Sequence, residues 1–335
     1  MPKQNPQRST RKRWLLRAAK ILIVALVIWA VHRTLYDAWS QLQGQQWHFE
    51  TIWLIVSGVL YLAGMVPAAL FWYLVLRVLG QDARPWPTFR AYSIGHLGKY
   101  VPGKAMVVVI RAGMVCSERV SAAVAAVSVF VETLTMMAAG SFLSAAILAV
   151  WYRDRGLPWY VSVGAVAMMI VSGLPTMPPL FRLLVRLVGV GRADRETTEK
   201  IRALGYGTVL AGWMLMALMW ILWGLSYWAT LRAMGVQGLH PIGEMPVYTF
   251  TVAMATVAGF IALAMPGGAV IREAALAVLI IPYLTPLVVN PELIAWASAI
   301  LLRVVWLLAE LAISLLLYPL GGRGRPARAD TPANP

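Results

Sequence analysis

GHLGKYVPGK, from Gly95 to Lys104, and MPGGAVIRE, from Met265 to Glu273, decide the fold of this chain. Each is a proline-glycine break inside apolar sequence, and each carries charge at its edge. Arg111 stands just beyond the first. Proline lacks an N–H and glycine accepts positive φ, so a helix stops at both places and frees backbone donors and acceptors. In a bilayer such a break is tolerated only where it is buried in protein or lines a wet cavity. Charges held at that depth are costly and mark function. A broken segment in each half of a chain is the sequence pointer to a transporter's central site.

The rest of the chain supplies the bilayer. Of 335 residues, 60% are hydrophobic and 13% charged, against about a quarter charged in soluble domains. Mean hydropathy is +0.69. The fold class is therefore an all-α polytopic membrane protein. The formal charge of +15 reads as orientation in the membrane rather than as a nucleic-acid surface. The single cysteine, Cys116, excludes an internal disulfide and a multi-cysteine metal site.

Full spans are expected near 16–35, 52–79, 120–150, 159–180, 206–231 and 294–319, each holding the roughly 20 apolar residues a crossing needs. Ala105 to Cys116 is too short to cross and reads as one arm of a re-entrant hairpin. Residues 247–289 fit either a second hairpin or two true spans. The count is six full spans plus two re-entrant hairpins, or eight spans. Basic residues orient it. Segments 1–20, 77–119, 182–202 and 323–335 hold 23 of the 29 Lys and Arg, so these face the cytoplasm and both termini lie inside. The N-terminal basic stretch and apolar run lack a small-residue cleavage site and read as a retained first span.

The expected organisation is a basic cytoplasmic tail over 1–16, one transmembrane domain over 17–320 and a disordered cytoplasmic tail over 321–335. Within the domain, span, span, broken hairpin, span occurs twice, about 17–155 and 159–320. Three spans per half invert the second copy, which predicts an inverted-topology repeat.

Charge near the breaks forms the candidate substrate site. Lys99, Tyr100, Pro102, Gly103, Lys104 and Arg111 come from the first break. Pro266, Gly267, Gly268, Arg272 and Glu273 come from the second. A helix starting after Gly103 would turn its N-terminus and Lys104 toward the same anion. Glu132 lies deep in a span, where a carboxylate needs a cation, and Arg111 suits it. Arg303 and Glu310 are seven apart and share a helix face. Glu132, Arg303 and Glu310 are read as charge-balancing or proton-carrying groups. Gly98 to Lys104 also fits the start of a phosphate-binding loop, but Ala105 replaces its Ser/Thr and no strand-helix unit surrounds it. His32, His48, His96 and His240 are scattered. No catalytic set, metal site or cofactor is expected.

At GHLGKYVPGK with IRAGM, and at MPGGAVIREAAL, the chain resembles the lysylphosphatidylglycerol synthase transmembrane-region family, the flippase-like integral membrane proteins. Ala269 and Val270 depart from the small residues usual in the second motif. The resemblance spans roughly residues 15–320. It implies translocation of a lipid, or a supporting role in lipid or glycolipid export, in the cytoplasmic membrane. Bifunctional members add a synthase domain; here a short Arg/Pro tail follows Pro319, so the resemblance does not imply synthase activity. The sequence thus points to a non-enzymatic flippase for an anionic lipid or glycolipid. The alternative is an accessory subunit, or a membrane-embedded enzyme, of lipid or envelope biosynthesis, partnered by lipid-synthesising enzymes.

Overall fold

The computed structural model describes Trp29, Arg33 and residues 49–100, 105–117, 119–151, 159–177, 179–180, 205–261 and 269–320. Among these residues the secondary structure is helical apart from a single bridge between Ser117 and Val120. The helices are α1 (Thr51–Val78), α2 (Pro85–His96), α3 (Ala105–Val115), α4 (Ala122–Trp151), α5 (Trp159–Gly173), α6 (Tyr206–Ala233), α7 (Met245–Ile261), α8 (Ala269–Leu284) and α9 (Pro291–Leu317). A 3-10 turn, Leu97–Tyr100, continues α2.

Four of them, α1, α4, α6 and α9, are long and apolar enough to cross a bilayer. They match the expected spans at 52–79, 120–150, 206–231 and 294–319. The expected span at 159–180 is shorter than read: α5 ends at Gly173 and a 3-10 turn with Pro175 follows. Gly173 weakens the helix and Pro175 removes a donor from its next turn. The first span, 16–35, lies outside the described residues except for Trp29 and Arg33, as do 181–204 and the tail from 321. Both broken regions are helix pairs. The arms of the first, α2 and α3, are 12 and 11 residues. Those of the second, α7 and α8, hold 17 and 16 described residues, and residues 262–268 between them lie outside the described residues.

α1 and α6 form the central pair and run antiparallel. The Glu50 amide donates to the Ala233 carbonyl at 2.9 Å. Trp53 meets Trp228 edge-on at 5.1 Å. Farther along, Phe71 packs on Gly212. Between these points Ser57 bonds Ser226 and Thr230, each at 2.9 Å. Lipid gives no hydrophobic drive for helices to associate, so small residues and interhelical hydroxyl bonds hold such a seam.

Both helices end in the same way. Leu76-Arg77 and Leu231-Arg232 are each followed, after two residues, by a glycine at positive φ: Gly80 at 70° and Gly235 at 80°. The amide after each glycine reaches back to the leucine carbonyl, Gln81 to Leu76 at 3.0 Å and Val236 to Leu231 at 3.3 Å. This is the Schellman closure, which takes up carbonyls left open at a helix end. Substituting alanine at either glycine forces a side chain into left-handed backbone, costing about 1–2 kcal/mol. Gly80→Ala and Gly235→Ala should each lower the thermal unfolding midpoint in detergent, and by similar amounts. An unchanged midpoint in both would count against these caps.

Candidate functional site

The first break closes on itself through glycine. A side chain at Gly98 would meet the Val107 backbone at 2.7 Å, so its absence lets the Leu97–Tyr100 turn lie directly on α3. That contact turns Lys99 and Tyr100 toward the bundle. Two anchors then tie this hairpin to α9, a helix of the other half. At its base, Arg90 donates to the Leu317 and Tyr318 carbonyls, both at 2.9 Å. These are carbonyls at the end of α9, where a cation also suits the helix dipole. At its tip, the Lys99 ammonium pairs with the Glu310 carboxylate.

Glu310 is fully buried. Its Oε1 accepts from both Lys99 and the Tyr61 hydroxyl of α1, while its Oε2 has no hydrogen-bond partner among the described residues. His96 Nε2 stands 3.8 Å from Oε1. Tyr61 stacks on Trp306, one turn before Glu310, at 4.3 Å and 18°. Trp223 of α6 closes the group at 5.3 Å from Tyr61 and 5.0 Å from Trp306. By helix rise the site lies about 15 Å along α1 from Thr51 and about 10 Å from the end of α9. It is well inside the bundle.

The second break supplies Arg272. Its guanidinium sits over the Trp306 ring, 4.5 Å from the centroid. Lys99 lies 5.7 Å from the Tyr61 ring and 5.1 Å from that of Tyr100. Because Tyr61 and Trp306 are stacked, Lys99, which donates to the Tyr61 hydroxyl at 3.3 Å, and Arg272 meet one aromatic pair from different hairpins. Cation–π contact shields part of each charge. Arg272 has no carboxylate within ion-pair distance among the described residues. Its neighbour Glu273 pairs instead with Arg303 of α9, at 3.3 Å. Glu273 Oε2 is also buried without a hydrogen-bond partner there.

Arg111 is engaged elsewhere. Its Nη1 meets Glu132 Oε2 at 2.8 Å, with side chains 3% and 1% exposed. Its Nη2 lies 3.0 Å from His96 Nδ1, and its guanidinium stacks 3.8 Å above Tyr92. The Tyr92 hydroxyl donates to the other Glu132 oxygen at 3.2 Å. Arginine only donates, so His96 Nδ1 is the acceptor and its proton sits on Nε2, facing Glu310. Each hairpin's second arm is thus pinned to the span after it by an ion pair of reversed polarity. In the first, Arg111 is on the arm and Glu132 on the span; in the second, Glu273 is on the arm and Arg303 on the span.

The structure therefore gathers Lys99, Tyr100, Arg272 and Glu310 at one place. It sets Arg111 with Glu132 to one side and Glu273 with Arg303 to the other. Pro102, Gly103, Lys104, Pro266, Gly267 and Gly268 lie outside the described residues. Tyr61, Trp306, Trp223 and Tyr92 carry much of the geometry, yet the sequence reading did not single out Tyr61, Trp306 or Tyr92. Trp306 and Glu310, four apart on an apolar span, were the available signal. Cutting one partner of a buried pair leaves an uncompensated charge, worth about 3–5 kcal/mol. Arg111→Gln and Glu132→Gln should each lower the unfolding midpoint in detergent by several degrees. The double variant should lose less than the two losses added. Strict additivity would contradict a paired role.

The family model for the lysylphosphatidylglycerol synthase TM region matches residues 17–309. Among curated proteins and among solved structures, none matches the chain.

Proposed function

The chain belongs to the lysylphosphatidylglycerol synthase TM-region family, and on that premise we propose that it carries an anionic lipid headgroup across the cytoplasmic membrane. It is an integral multi-pass membrane protein of a family tied to lipid synthesis or flipping. One observation carries the finer reading. Two cations from separate hairpins, Lys99 and Arg272, converge on the Tyr61–Trp306 stack inside the bundle, and Arg272 has no carboxylate partner among the described residues. A cation held at such depth without an acid is the arrangement that receives an anion. The lipid's acyl chains stay in the bilayer while its headgroup passes between the hairpins. In this reading the site binds and releases; it makes and breaks no bond.

The reading includes an inverted repeat. Exchange α1 with α6, α2 with α7, α3 with α8 and α4 with α9. Each contact among these helices then falls on another that is present: α1–α9 on α6–α4, α2–α9 on α7–α4, α1–α4 on α6–α9. The paired α1 and α6 are both 28 residues, share their C-terminal cap and run antiparallel. All of this supports two halves related by a two-fold axis in the membrane plane, with short arms entering from opposite sides as re-entrant hairpins. Such a frame lets one site open to either face in turn.

Two experiments bear on this. With 23 of 29 basic residues in the segments assigned to the inside, cysteines introduced at positions 5 and 330 should both label only from the cytoplasmic side. Labelling of either from outside would break the inverted layout. Lys99→Gln and Arg272→Gln, reconstituted as folded protein in liposomes, should cut translocation of a fluorescent phosphatidylglycerol at least tenfold. Wild-type rates in both would defeat the headgroup site.

A further inference from the structure

The Glu310 carboxylate has a feature that anion binding alone does not use. Lys99, the cation at the tip of the first hairpin, is already neutralised by Glu310. An incoming headgroup that is to use both Lys99 and Arg272 competes with this carboxylate for the ammonium. Two anions on one lysine in a buried site repel each other strongly, because the local dielectric is low. Either the headgroup is excluded or Glu310 loses its charge.

The geometry is suited to the second outcome. Oε1 holds Tyr61 and Lys99, whereas Oε2 is buried with no partner at hydrogen-bond geometry among the described residues, though the Tyr100 hydroxyl also approaches this carboxylate. A proton arriving at Oε2 turns the group into a neutral acid. Oε1 keeps the Tyr61 hydroxyl, which donates to a carbonyl oxygen as readily in kind, and the Lys99 ammonium loses its anionic partner while keeping its donation to the Tyr61 hydroxyl at 3.3 Å. Lys99 stays protonated and no covalent bond other than O–H forms. The other two embedded carboxylates differ. Glu132 has both oxygens engaged, by Arg111 and Tyr92, and Glu273, which shares the open Oε2, serves Arg303 within its own half. Only Glu310, of these three, joins the halves.

The groups facing Glu310 are Tyr61 from α1, His96, Lys99 and Tyr100 from the first hairpin, and, across Trp306, Arg272 from α8. On α9 itself Arg303 lies two turns away and is held by Glu273. α6 contributes Trp223 and Ser226, which carry no charge. Lys99, Arg272 and ionised Glu310 sum to one positive charge with the site empty. With Glu310 protonated and a singly charged phosphodiester bound, the sum is again one. Loading leaves the site's charge unchanged.

Resting on the headgroup reading, we propose that Glu310 is the coupling carboxylate: a phosphodiester monoanion displaces it from Lys99, and one proton binds Oε2 for each anion bound. Translocation is then an electroneutral symport of proton and anion. The sign follows. Binding favours the protonated acid, so affinity rises as pH falls, by up to tenfold per pH unit for one linked proton.

The test uses the full chain in detergent, weakly buffered, with a pH indicator. The probes are dihexanoylphosphatidylglycerol and, for the headgroup chemistry without lipid, dimethyl phosphate. The lipid probe should bind the wild-type protein with uptake of one proton per anion. A carboxylic-acid band should rise in the infrared difference spectrum, which separates Glu310 from His96. Glu310→Gln should bind without taking up a proton and should lack that band. If dimethyl phosphate alone drives the same uptake, the proton coupling stands and the recognised unit is the free diester. Binding without proton uptake in the wild-type protein would overturn the coupling and leave the headgroup site intact. No binding of either probe would overturn both. The wild-type arm decides the matter even where Glu310→Gln fails to fold. In liposomes, an imposed pH gradient should drive phosphatidylglycerol movement and a potassium-valinomycin potential should not. Drive by the potential alone would also overturn the proposal.

Discussion

A buried carboxylate has to be answered from somewhere, and the organisation of this protein follows from where Glu310 is answered. Its partners are Tyr61 on α1 and Lys99 on the first hairpin, 249 and 211 positions away in the chain. Burying an ion pair is no large source of stability, because desolvation offsets most of the attraction. What it fixes is position. The first hairpin cannot slide along α9 without leaving Glu310 alone, a loss of several kcal/mol. Arg90 on the last carbonyls of α9 holds the other end. The two anchors set the depth of the hairpin tip, and the tip sets the site.

The second hairpin reaches the same place by a different device. Among the described residues, Arg272 lies on the indole of Trp306 rather than on an acid. An aromatic face attracts a cation without neutralising it, so the charge stays open to a third party. Trp306 is itself held by its Nε1 bond to Ser226 at 3.0 Å and by the stack with Tyr61. The central α1–α6 seam, the aromatic group, Lys99 and Arg272 thus form one continuous contact. A movement of either hairpin would be felt by the other through Trp306 and Glu310. The proposed function, a site that opens alternately to two sides, requires such a linkage.

Much of the fold could be read in advance because it rests on local signals. Apolar length gave α1, α4, α6 and α9, and the proline-glycine breaks gave the split pairs. The limit at α5 was also local: Gly173 and Pro175 were visible but were absorbed into a longer apolar run. Arg111 with Glu132 was legible because a deep carboxylate needs a cation and few are near. Arg303 and Glu310 do share a face, but they serve different partners, Glu273 and Lys99. Helical spacing says which way a side chain points and nothing about which hairpin tip it meets. Tyr61 and Trp306 were hidden for a related reason. An aromatic residue in an apolar span looks the same whether it packs or holds a cation. The shared cap of α1 and α6 escaped notice since Leu-Arg-x-x-Gly is short and common; only the antiparallel packing makes the two copies equivalent.

The central claim is that Lys99 and Glu310 touch across the two halves, and a double-mutant cycle measures that contact. Lys99→Gln, Glu310→Gln and the double variant are compared with the wild-type protein by reversible unfolding in detergent. A direct buried contact predicts an interaction energy of about 1–3 kcal/mol, so that the second substitution costs much less once the first is made. Additivity within about 0.5 kcal/mol, the behaviour of distant sites, would place Lys99 away from Glu310 and contradict the site as built.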